Sequence, residues 1–77
     1  MDAGRDSGRA RTRTAALMRS TVEQLRLAAR RLRSLAETSP SEQTATRLRA
    51  LGHDVSAKAD DIEERADQID DGTPTNT

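Results

Sequence analysis

The sequence predicts an all-α fold: an antiparallel two-helix hairpin, coiled-coil-like, with a seam rich in Ala and Gly. Three observations carry this reading. Two stretches place apolar residues at alternating spacings of three and four, the pattern that keeps one stripe of a helix facing a partner. A Ser-Pro-Ser-Glu stop lies between them. The 77-residue chain contains no Cys, Trp, Tyr or Phe, so neither a disulfide framework nor bulky aromatic anchors can organise a more elaborate core.

In the first helix the stripe runs Ala15, Met18, Val22, Leu25, Ala29, Leu32, Ala36. In the second it runs Ala45, Leu48, Gly52, Val55, Ala59, Ile62, Ala66, Ile69. The expected hairpin seam is Met18, Val22, Leu25, Ala29 and Leu32 against Leu48, Gly52, Val55, Ala59 and Ile62. Gly52 is a weak point, since an interior Gly costs about 1 kcal/mol relative to Ala. The stripe nevertheless passes through it without a phase shift, so one continuous second helix is expected. Between the stripes, Ser39 reads as an N-cap with Pro40 at the first helical position and Glu42 closing a capping box. These signals divide the chain into a flexible basic arm (1–10), a helical hairpin (11–71) and a disordered tail (72–77). Within the hairpin the helices span about 11–37 and about 40–71, joined by a turn at 38–39. A turn this short makes the helices antiparallel neighbours. It also sets an expected register with Leu32 opposite Ala45, Ala29 opposite Leu48 and Leu25 opposite Gly52, each layer nesting a large residue against a small one.

Charge is divided along the chain. Residues 1–38 hold nine arginines against four acids, and residues 39–77 hold four bases against nine acids; the whole is neutral. The expected hairpin is therefore basic near the loop and acidic at the open end. Arg26, Arg30, Arg31, Arg33, Arg47 and Arg49 form a candidate patch for an anionic partner, with Arg19 in reach of Glu63 and Arg33 meeting Arg49. Leu35, Ala28 and Leu51 fall outside the stripes on one side of the hairpin. They form a candidate self-association surface through which two hairpins would dimerise into a four-helix bundle.

Catalytic signals are lacking. His53 is the sole histidine, and one His does not make a metal site. Asp67, Asp71 and Gly72 have only a fragment of a calcium loop's spacing, with Ile69 where a ligand belongs. No serine has a His and acid to activate it, and no glycine-rich loop cradles phosphate. The expectation is thus a non-enzyme without cofactor, a small structural or protein-interaction module acting by helix–helix association. Its expected partner is a protein, either itself or a partner helix. The alternative is an accessory nucleic-acid binder using the arginine-rich arm and loop end. Membrane docking is disfavoured by the missing Trp and Phe. No apolar run reaches the ~20 residues of a membrane span, and no secretory signal opens the chain, so a cytoplasmic location is expected.

Overall fold

A computed structural model describes the backbone of residues 3–71 and the side-chain surroundings of residues 8–70. It contains two helices packed against each other, α1 (Ala3–Thr38) and α2 (Glu42–Asp71). They form a flat rod of 62 × 24 × 11 Å, one helix thick. Helix α1 starts well upstream of residue 11. Gly4 and Gly8 disfavour a helix, but the Arg and Ala residues among them are strong helix formers and no proline intervenes. Residues 3–10, expected as a flexible arm, therefore continue α1. The expected tail at 72–77 lies outside the described residues. Helix α2 is unbroken through Gly52.

The connection differs from expectation in a way that resets the register. It comprises Ser39, Pro40 and Ser41, and the N-cap of α2 is Ser41, not Ser39. The Ser41 carbonyl accepts the first helical bond from the Ala45 N–H at 2.9 Å. Its hydroxyl accepts from the Thr44 N–H at 3.2 Å, satisfying one of the orphan donors of the first turn. Ser39 serves the bend instead: its hydroxyl accepts from the Ser41 N–H at 3.3 Å, and its own N–H closes on the Ala36 carbonyl.

Moving the cap two residues on lengthens the loop and slides α2 along α1. A Cβ placed on Gly52 would lie 3.4 Å from the Ala29 carbonyl oxygen and 3.6 Å from Leu32 Cβ. Gly52 thus packs on Ala29, not on Leu25, and the large-against-small layers of the expected register are replaced by small against small. Seven-residue steps in opposite directions carry the match along the rod, setting Ala36 level with Ala45, Val22 with Ala59, and Ala15 with Ala66. All eight of these residues are buried. Among described residues the buried hydrophobic core is this column: Ala15, Val22, Ala29, Ala36, Ala45, Ala59 and Ala66.

Candidate functional site

Each helix carries three kinds of residue around the small column, and 100° per residue fixes their order. On one side of the Ala29 column stand Arg19, Arg26 and Arg33. On the other stand Met18, Leu25 and Leu32. Around the Ala59 column of α2 the same division holds, with Ser56, Glu63 and Asp70 on one side and Leu48, Val55, Ile62 and Ile69 on the other.

The polar sides meet across the seam. Arg19 donates to Asp67 at 2.9 Å and to Asp70 at 3.1 Å. Arg26 donates to Asp60 at 3.0 Å and to Glu63. Arg33 donates to the Ser56 hydroxyl at 2.8 Å. The ascending order on α1 against the descending order on α2 makes the helices antiparallel. The pairing of Arg19 with Glu63 expected from sequence gives way to Asp67 and Asp70, another consequence of the shifted register. The hydrogen bond to Asp67, then that to Asp70, raises the Arg19 guanidinium above its already high ordinary pKa. Glu63 first, and Asp60 second, do the same for Arg26. These pairs are more than a third exposed, so solvent screening leaves each of them a small contribution to stability. Their larger effect is to fix the register and to cover the seam edge with arginine stems.

With that edge closed by ion pairs, most of the large apolar residues lie on the opposite face; Leu17 and Leu27 are exposed elsewhere on α1. Met18, Leu25, Leu32, Leu48, Val55, Ile62 and Ile69 are all half-exposed. Of the ten residues expected in the seam, Val22, Ala29, Gly52 and Ala59 are buried, and the other six lie on this face. Small residues bring the helix axes close together and leave the longer side chains at the edge of the seam. The expected self-association residues flank the same face: Leu35 is 56% and Leu51 50% exposed, and Ala28 is half-buried. An apolar strip therefore runs along most of the rod.

The expected basic patch divides. Arg26 is committed to Asp60 and Glu63. Arg33 lies with Glu37, Arg49 and His53 around a shallow hollow at the loop end. Arg30, Arg31, Arg33, Arg47 and Arg49 are exposed and join no ion pair among the described residues. A further set escaped the sequence reading: Asp54, Lys58, Asp61 and Arg65 line the α2 border of the apolar face. All four are exposed, and none is paired within the hairpin among the described residues. Their alternating charge at spacings of four, three and four was the signal available.

Among the described residues there is no group of three or more His, Cys, Asp or Glu placed to hold a metal, and no helix is long and apolar enough to cross a membrane. No family model, no curated protein and no solved structure matches the chain.

Proposed function

We propose that the protein is a non-catalytic interaction module of the antiparallel coiled-coil type, working by docking its apolar face on other helices. The observation that supports this is the division of labour around the seam. The hairpin closes on methyl groups and a glycine, while seven of its large aliphatic side chains stay half-exposed on one face. A contiguous apolar strip of this kind marks an association surface, and helices joined by a short loop commonly complete a bundle by that route. The test is affinity capture with the tagged chain from its native host, comparing wild type with a Leu25→Glu/Ile62→Glu variant shown by circular dichroism to remain helical. Proteins bound by wild type and absent from the variant are expected. A variant that retains every bound protein contradicts the reading.

A second reading rests on a different observation, the exposed arginines at the loop end. Arg30, Arg31, Arg47 and Arg49 suit phosphate contacts, which need positive charge and little else. That reading expects nucleic-acid binding that weakens steeply with salt and with an Arg30→Ala/Arg31→Ala/Arg47→Ala/Arg49→Ala variant. It fails if DNA and RNA mobility are unchanged at low salt.

A further inference from the structure

We propose that the occupant of the apolar face is a second copy of this chain, laid end-to-end reversed so that the two loops point in opposite directions. The inference rests on the association reading above and names its partner. The charges bordering the face carry it. Along α2 the border reads Asp54, Lys58, Asp61, Arg65, that is minus, plus, minus, plus. Reversed, the same series reads plus, minus, plus, minus. A two-fold axis between Lys58 and Asp61 therefore sets Asp54 against Arg65 of the second copy and Lys58 against its Asp61, with the reciprocal pairs completing four. Each hairpin leaves these groups exposed and, among the described residues, without an ion-pair partner.

The apolar residues support the same axis independently. Val22 is level with Ala59 through the Ala29–Gly52 contact, so the axis crosses α1 near Thr21 and Val22. Reversal about that height sets Met18 against Leu25 of the second copy on α1, a match of two large half-buried residues. On α2 it brings Val55 to within two residues of Ile62 of the second copy, about 3 Å along the helix at 1.5 Å per residue. The overlap covers about 24 residues of each helix, about 36 Å at 1.5 Å per residue. Across the 24 Å breadth of the rod this is on the order of 800 Å² per copy, the size of a standard stable interface. Placing both loops at the same end is disfavoured, because it sets α1 over α2 and brings Arg31 near Arg47. A polyanion is disfavoured on this face too, since the border of two acids and two bases is neutral.

The test combines sedimentation with charge exchange. One variant carries Lys58→Glu/Arg65→Glu and another carries Asp54→Lys/Asp61→Lys; all four positions are exposed, and helicity is checked for each. Wild type is expected to sediment as a two-copy species at micromolar concentration. Each variant alone should lose at least ~100-fold in self-affinity, through four like-charge contacts per pair, and an equimolar mixture of the two should recover it. In the otherwise cysteine-free chain, Thr21→Cys should form a disulfide-linked pair, because only the reversed arrangement brings residue 21 to its own copy. A monomeric wild type overturns the second-copy proposal while leaving the wider association reading to its capture experiment. Flank variants that self-associate as well as wild type, or a Thr21→Cys chain that stays unlinked, overturn the reversed arrangement.

Discussion

Replacing Gly52 by alanine should stabilise the hairpin, although it adds a methyl group at the tightest contact described between the helices. The new Cβ would sit 3.4 Å from the Ala29 oxygen and 3.6 Å from both Arg33 Cγ and Leu32 Cβ. These are van der Waals distances that require no separation of the helices. Two favourable terms then remain. Alanine is better than glycine inside a helix by about 0.8–1 kcal/mol, and the methyl gains dispersion contacts in a buried position. The expected gain is about 1 kcal/mol, a rise of about 4–8 °C in Tm for a chain of this size. The assay is thermal and urea unfolding followed by circular dichroism, at one fixed protein concentration because association is linked to stability. Gly52→Leu supplies the contrast: its branched side chain has no room in the seam and should cost about 1–3 kcal/mol by overpacking. A Gly52→Ala variant destabilised by more than about 1 kcal/mol would refute the reasoning, since it would mean that the helices approach more closely than the Ala29 contact indicates.

Three further outcomes follow from the seam and its termini. Ala59→Leu, at a position with no exposure, should cost about 1–3 kcal/mol in urea unfolding, whereas Ala57→Leu on the exposed surface should be near neutral. Ser41→Ala removes the acceptor of the Thr44 N–H and should cost about 1 kcal/mol; Ser39→Ala should cost less, which separates the two candidate caps by the same measurement. Arg26→Ala breaks the pairs with Asp60 and Glu63 and should lower the urea midpoint slightly at low salt, the difference shrinking as salt is added. Because the guanidinium pKa is raised on folding, its contribution is full below the unfolded value and lost only as pH climbs through the folded one. Titration of Arg26 should therefore leave stability flat between about pH 6 and 10.

Much of the architecture was legible in the chain. The stripes through Ala15–Ala36 and Ala45–Ile69 located both helices, and the continuity of phase across Gly52 correctly outweighed the glycine's poor propensity. The register was not legible, because Ser39 and Ser41 both offer a hydroxyl in front of α2. Ser39 has the stronger local signature, with Pro40 and Glu42 behind it. Packing decided for Ser41, since that loop aligns Ala29 with Gly52 and lets both small columns close. Treating each stripe as one seam also merged two functions. The small residues bind helix to helix, and Leu25, Leu32, Val55 and their like are only partly buried beside them. The arginine edge was misassigned for the same reason: one turn of slippage replaces Glu63 by Asp67 and Asp70 as the partners of Arg19.

The small-on-small register is the claim on which the apolar face, the ion-pair edge and the proposed two-fold axis all depend. Nuclear Overhauser contacts from the Gly52 α-protons test it most directly, because that residue sits inside the seam and its glycine resonances are distinctive. The strongest inter-helix contacts are expected to Ala29 and to the β-protons of Leu32. If they go instead to Leu25, the helices are slid by about one turn, and the apolar strip is part of the hairpin's own core.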